Sequence, residues 1–168
     1  MSKLIKLMPA CLFMIFATYS FGQPLGGANM DLSGDTGSSI LEIAVKNDDN
    51  YAVRLNYFFD AEDPSDRKKV WKAAGGDLRI KPGVWKESGA PFDIETIIVD
   101  LKTGLEVHRS SIKNPKLTSY ETDSLHAELC RVLLKKGDYK VNVRRFGSTE
   151  SLTETRVTIT IVEAYYGK

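Results

Sequence analysis

The sequence predicts an all-β chain: an antiparallel two-sheet sandwich of about seven strands, with one short helix inserted after the second strand. Three observations carry this. Tyr51, Val53, Leu55, Tyr57 and Phe59 recur at every second position, the period of a strand with one buried face. Val157, Ile159 and Ile161 do the same, with Thr158 and Thr160 between them. Between these lies Leu133-Leu134-Lys135-Lys136-Gly137-Asp138-Tyr139-Lys140-Val141-Asn142-Val143, a strand entering a polar turn and a second strand leaving it. In immunoglobulin-like sandwiches a tyrosine at such a corner packs its ring inward and bonds backbone through its hydroxyl. Tyr139 and Gly137 therefore read as structural, Gly137 by supplying the positive φ of a tight turn.

Taken in order, residues 1–22 read as a signal peptide. Lys3 and Lys6 precede an apolar run from Leu7 to Phe21, and Ser20-Phe21-Gly22 offers small residues for cleavage after Gly22, or after Ser20 as the alternative. Met8-Pro9-Ala10 before Cys11 is a poor lipobox, so the expectation is an exported, periplasmic, soluble protein rather than a lipoprotein. Residues 23–37, with Pro24 and four glycines, read as a flexible lead-in to a single domain over 38–168. Ser39–Val45 is the first strand. Asn47-Asp48-Asp49-Asn50 is a turn cluster, and the next strand, from Tyr51, is expected to pair with the first as a hairpin. Asp63-Pro64-Ser65-Asp66 opens a helix of about three turns that ends at Gly75-Gly76. Its apolar side holds Val70, Trp71 and Ala74, so Trp71 reads as structural. Residues 77–91 form an irregular crossing. Strands over 92–101 and 105–110 turn through Lys102-Thr103-Gly104, and 111–123 is loop. Ser124–Leu134 reads either as a helix or, from Leu125, Ala127, Leu129 and Leu133, as a strand; the hairpin turn after it selects the strand.

Composition narrows the function. Among 168 residues, 23 are basic and 22 acidic, and loss of the leader would remove Lys3 and Lys6 and no acid. Such balance argues against nucleic acid or anionic membrane as the main partner, both of which favour a basic surface, and no stable membrane insertion is expected after leader cleavage. Beyond the leader Cys130 stands alone, without a partner for an internal disulfide, and its apolar neighbours place it as a small hydrophobe.

No catalytic constellation stands out, and neither an enzyme nor a cofactor is expected. Asp35-Thr36-Gly37-Ser38 matches the aspartic-protease motif, but that chemistry needs a second carboxylate and an apolar strand leading into the first; a Gly-rich linker is the simpler reading. Asp60, Glu62, Asp63 and Asp66 lack a glycine-turned calcium loop and read as helix capping. His108 and His126 have no carboxylate or nucleophile at relay spacing and read as ordinary strand or loop residues, so no metal is assigned. What remains is a surface. Arg67, Lys68, Lys69 and Lys72 give the helix a basic side, and Trp85 in the crossing after it is expected to be exposed, a combination suited to protein binding. Tyr165-Tyr166 is a weaker feature of that kind.

Lys46-Asn47-Asp48-Asp49-Asn50-Tyr51, then Asp66-Arg67, Val70, Lys72 and Gly75-Gly76, then Pro91 and Ile94, and last Leu134, Gly137, Tyr139 and Val141 form an ordered series. In that series, over about residues 38–165, the chain resembles a family of exported bacterial β-sandwich domains of unknown function. Gly83-Val84 departs from the Gly-Ile-Pro associated with the family's crossing. The resemblance implies no catalytic residue. It implies a setting in which such domains sit beside secreted antibacterial effectors as periplasmic immunity proteins. The first expectation is therefore a non-enzymatic periplasmic protein-binding domain, an immunity protein whose partner is a secreted effector. The alternative is a periplasmic small-ligand or glycan-binding sandwich that uses Trp85 and an aromatic-lined pocket.

Overall fold

The computed structural model describes residues 24–76, 78–82 and 84–164, with the backbone alone for 78–81, 84 and 85. The leader, its cleavage point and Tyr165-Tyr166 lie outside the described residues. The strands are β1 (Gly26–Asn29), β2 (Thr36–Val45), β3 (Asp49–Phe58), β4 (Leu78–Lys81), β5 (Val84–Lys86), β6 (Asp93–Asp100), β7 (Glu106–Lys113), β8 (Ser119–Tyr120), β9 (Ser124–Leu134), β10 (Gly137–Phe146) and β11 (Val157–Glu163). The helix α1 (Pro64–Ala73) follows β3, and a 3₁₀ turn spans Glu150–Leu152. A five-stranded sheet of order β1-β11-β3-β9-β8 packs on a four-stranded sheet of order β2-β10-β6-β7, and β4-β5 forms a separate ribbon. Every pairing is antiparallel. The fold is thus the expected two-sheet sandwich with one short helix.

The alternating residues fill the space between the sheets. Tyr51, Val53, Leu55, Tyr57 and Phe59 are all buried, as are Val157, Ile159 and Ile161. On the other sheet Leu41, Ile43, Val45, Ile94, Ile98, Tyr139, Val141 and Val143 face them in one cluster.

Two expected hairpins are instead arches. β2 pairs with β10 in the four-stranded sheet, whereas β3 pairs with β11 and β9 in the other. β9 likewise lies in the five-stranded sheet and β10 in the four-stranded one. Polar turn residues serve a crossing between sheets as well as a hairpin; what separates the two is where the hydrogen-bonding edges of the flanking strands are used. The arches lie side by side: Val45 pairs with Gly137 and Asp49 with Leu134. The Lys136 N–H donates to Asp48 Oδ1 at 2.7 Å, tying one arch to the other. The Tyr139 hydroxyl donates to the Lys135 carbonyl at 3.0 Å, and Tyr51 does the same to Asn47 at 2.9 Å, so each arch has its own tyrosine corner. Gly137 differs from expectation. It is absent from the glycines with positive φ, and a Cβ there would meet the Tyr139 ring at an ordinary 3.6 Å. The corner requires the tyrosine, not the glycine. The hairpin from β6 to β7 forms as expected, its turn held by Asp100 Oδ1 accepting from the Lys102 and Thr103 N–H groups.

β9 confirms the strand reading, with a shift of phase. Val53 stands opposite Cys130 and Arg54 opposite Glu128, so Leu129 is an extra residue in the strand. Beyond it the inward series moves by one. Leu134 is buried and Leu133, expected inside, is 64% exposed. Cys130 is half-buried against the core, and burial raises its thiol pKa.

Residues 23–37 are not a plain lead-in. They hold β1, paired with β11, and the start of β2. The segment between the two is fastened by Arg145, which continues the inward series of Tyr139, Val141 and Val143 and is fully buried. Its Nε donates to the Asp31 carbonyl at 3.2 Å, and Nη2 donates to the carbonyls of Ser33 at 3.2 Å and Gly34 at 3.0 Å, while Nη1 donates to Gly147. A guanidinium has five N–H donors and must satisfy them when buried, so it gathers carbonyls around itself. The Thr149 hydroxyl adds a bond to the Leu32 carbonyl at 2.6 Å. Gly37 passes so close that a Cβ would lie 2.2 Å from the Asp31 oxygen.

Candidate functional site

The helix sits at the end of the sandwich where β3 stops. Asp63 caps it by accepting from the Ser65 hydroxyl at 2.7 Å and the Ser65 N–H at 2.8 Å, and these two bonds hold the Asp63 pKa below its usual value. Gly75, at φ 72°, ends it: Gly76 N–H bonds the Trp71 carbonyl and Gly75 N–H the Lys72 carbonyl, the paired bonds of a Schellman stop. Val70 and Ala74 enter the core, while Trp71 is half-buried and lies against the Gly76 backbone. Gly75, Gly89 and Asn114 then bring three backbone segments together: a Cβ on Gly75 would lie 1.7 Å from the Gly89 oxygen, and one on Gly89 2.0 Å from the Asn114 oxygen.

The expected basic face is not a single unit. Lys69 is paired with Glu154, which raises the lysine pKa and lowers the glutamate's. Arg67 stands over two rings, 5.7 Å from the centre of Phe59 and 5.4 Å from that of Tyr120. Lys68 and Lys72 remain exposed. The Trp85 backbone lies on β5, and its side chain is outside the described residues. Of the two rings that Arg67 meets, Phe59 is buried and Tyr120, on β8, is 65% exposed. Sequence reading placed it in a loop; only the β8–β9 pairing and the helix position bring it beside Arg67.

A second assembly lies on the outer face of the five-stranded sheet. Register aligns Asn29, Thr158, Asn56, His126 and Ser119 in one row across all five strands. Asn56 and His126 are buried, 4% and 5% exposed. His126 Nδ1 meets Asn56 Oδ1 at 2.7 Å, and the Asn56 amide donates to the hydroxyls of Thr158 at 3.1 Å and Thr160 at 3.0 Å. With Nδ1–H donating, Nε2 is the bare nitrogen, 3.5 Å from Glu121 Oε1 and without a hydrogen-bond partner. Burial lowers the His126 pKa and Arg54 adds to this, against the pull of Glu121 and Asp123. His126 is therefore a strand residue whose buried ring is oriented by Asn56 and whose charged form is disfavoured by burial. Nothing in the sequence pairs it with Asn56, which is 70 residues away.

Among the described residues no group of three or more His, Cys, Asp or Glu side chains could hold a metal ion, and no helix is long and apolar enough to cross a membrane. Two shallow hollows mark the surface. One, of about 450 Å³, lies by the arches between Glu42, Leu101, Lys102 and Asp138. The other, of about 390 Å³, is lined by Gly27, Ala28, Asn29, Thr158 and Thr160. Among the described residues neither is lined by an aromatic side chain.

A family model described as a domain of unknown function (DUF5625) matches residues 30–163. A crystal structure from Sulfurospirillum deleyianum is similar in fold, with a TM-score of 0.66 at 15% identity over 83% of this chain and 97% of that one. A ruminal GH26 endo-beta-1,4-mannanase matches at a TM-score of 0.34 and 13% identity, over 89% of this chain and 22% of that one, and carries no argument. No curated protein matches the sequence.

Proposed function

We propose that this chain, which belongs to the DUF5625 family of domains of unknown function, is an exported, non-enzymatic protein-binding domain, an immunity protein that occludes a secreted antibacterial effector. One observation carries the reading: Tyr120 is 65% exposed, with the Arg67 guanidinium held 5.4 Å from its ring centre. An arginine already stacked on an exposed aromatic loses little freedom on binding, and this pair of residue types is enriched at interface hot spots. Lys68 and Lys72, exposed on the same helix, would speed encounter with an acidic partner. Occlusion needs only a complementary face of standard interface size, with no chemistry of its own.

The test is co-production in the periplasm with the effector encoded beside the gene. The variant Tyr120→Ala with Arg67→Glu and Lys68→Glu should keep its melting temperature within a few degrees, as surface changes do, and lose protection. Protection equal to wild type would remove this surface from consideration. Intact mass of the periplasmic protein should place its N-terminus at Gln23, or at Phe21, without acylation.

A further inference from the structure

The outer face of the five-stranded sheet brings two lone-pair donors together with no proton between them. His126 is 5% exposed, and its Nε2 is buried without a hydrogen-bond partner. Glu121, in the connection from β8 to β9, places Oε1 3.5 Å from that nitrogen. A charge-assisted hydrogen bond would draw the two atoms to about 2.7–2.9 Å. This pair stands farther apart.

Which ring nitrogen is bare is fixed from behind. The Asn56 amide nitrogen donates to the hydroxyls of Thr158 at 3.1 Å and Thr160 at 3.0 Å, which turns Oδ1 toward His126 Nδ1 at 2.7 Å. Oδ1 can only accept, so Nδ1 carries the proton and Nε2 the lone pair. Histidines that hold metals are oriented in this way, with the other ring N–H given to a fixed acceptor. Burial lowers the His126 pKa and so favours the neutral ring, the form that a metal requires.

The spacing suits a shared cation. At zinc bond lengths of about 2.0–2.2 Å, two donors at a tetrahedral angle lie about 3.4 Å apart. We propose that His126 Nε2 and Glu121 Oε1 form a binding site for a divalent transition-metal cation such as zinc, with water completing its coordination. Imidazole with carboxylate suits such an ion, whereas magnesium and calcium take oxygen donors. Two protein donors make the site an open one, in keeping with the absence, among the described residues, of any group of three or more. Arg54 opposes positive charge at His126, and Glu121 and Asp123 favour it. Glu121 is the exposed member, its side chain 60% exposed, so rotation of one surface carboxylate would open the way in from solvent. The inference does not rest on the immunity reading.

The folded, untagged protein is freed of metal with a chelator and titrated with zinc chloride, against magnesium chloride at equal ionic strength. Backbone amide and histidine ring NMR signals are followed. Saturable zinc shifts at Ser119, Glu121 and His126 are expected, with none from magnesium. Zinc should bind less well as pH falls, because the proton competes for the same lone pair. Glu121→Gln, a surface change, should weaken zinc by about tenfold or more, and His126→Gln should abolish the saturable shifts. His108 also has a buried Nε2 without a partner, and His108→Gln should leave zinc binding unchanged. Zinc shifts confined to Cys130 or the chain ends would show adventitious binding only and overturn the site. So would equal shifts from magnesium, or a Glu121→Gln variant that binds zinc as tightly as wild type.

Discussion

At the arch end of the sandwich, Tyr51 and Tyr139 each send a hydroxyl to the carbonyl four residues back, and the two corners are joined by Lys136 and Asp48. At the helix end, one buried guanidinium collects the carbonyls of Asp31, Ser33, Gly34 and Gly147. Both ends face the same problem, since chain that crosses between sheets has backbone groups outside either ladder. The arches solve it locally: each tyrosine serves its own turn, and its ring adds to the core. Arg145 solves it at long range, fastening a segment more than a hundred residues away in sequence. One closure is redundant and mostly apolar. The other passes through a single charged group whose burial is tolerable only while its carbonyls stay in place.

The largest effect should therefore come from Arg145→Ala, which strands several carbonyls and opens a cavity at once. A loss of about 5 kcal/mol in urea unfolding is expected, with residues 24–35 becoming the first site of proteolysis. A loss of the size expected below for removing one tyrosine hydroxyl, with that segment still protected, would mean that the guanidinium is not the clasp.

Tyr51→Ala and Tyr139→Ala should each cost about 3–4 kcal/mol, the range for deleting a large buried aromatic. Tyr→Phe at either corner should cost about 1 kcal/mol, the net worth of one hydrogen bond. Because the arches touch, the double Phe variant should depart from the sum of the single ones. Strict additivity would show the corners to be independent.

Two glycines sharpen the contrast further. Gly37→Ala at the helix end places a Cβ 2.2 Å from a carbonyl oxygen and should cost more than about 2 kcal/mol, in the overpacking range. Gly137→Ala at the arch end should be neutral, or stabilising by up to about 1 kcal/mol. Equal losses at both would erase the distinction.

The smallest effect concerns pH. The His126 pKa is lower folded than unfolded, so between the two values the unfolded chain binds the extra proton. The stability tied to the neutral imidazole is complete above the ordinary histidine value of about 6.5 and is lost as pH falls through the folded one. His126→Gln should flatten the stability curve over that window. An unchanged slope would place the titration elsewhere.

The parts legible in the sequence were those with a period. β3, β10 and β11 announce themselves by alternation, and α1 by Asp63, Pro64 and Gly75. Sheet membership was not legible, because Asn47–Asn50 and Lys135–Asp138 satisfy the chemistry of a hairpin and of an arch equally well. β1 escaped because four residues with two glycines show no pattern, and the β9 bulge because one extra residue reverses every inward assignment after it. Arg145 could have been found: it sits in phase with Tyr139, Val141 and Val143, and a charged residue in an inward series signals a buried polar contact. The Asn56–His126–Thr158 row left no such signal, because it exists only once three distant strands are in register.

The extra residue at Leu129 has a consequence for solubility. Among the described residues β8 pairs with β9 only at Leu125 and His126, which leaves the rest of that strand without a ladder partner on this side. A long flat edge invites another chain to add itself, and Leu133, largely uncovered, would reward it. The bulge at Leu129 interrupts the register, a bulge tends to bend its strand, and Glu128 and Arg131 set opposite charges beside the break. Thr118 Oγ1 already takes the Glu128 N–H at 3.1 Å. The ladder that a visiting strand would need is interrupted where it would begin, and the fold carries its own guard against fibre-like association.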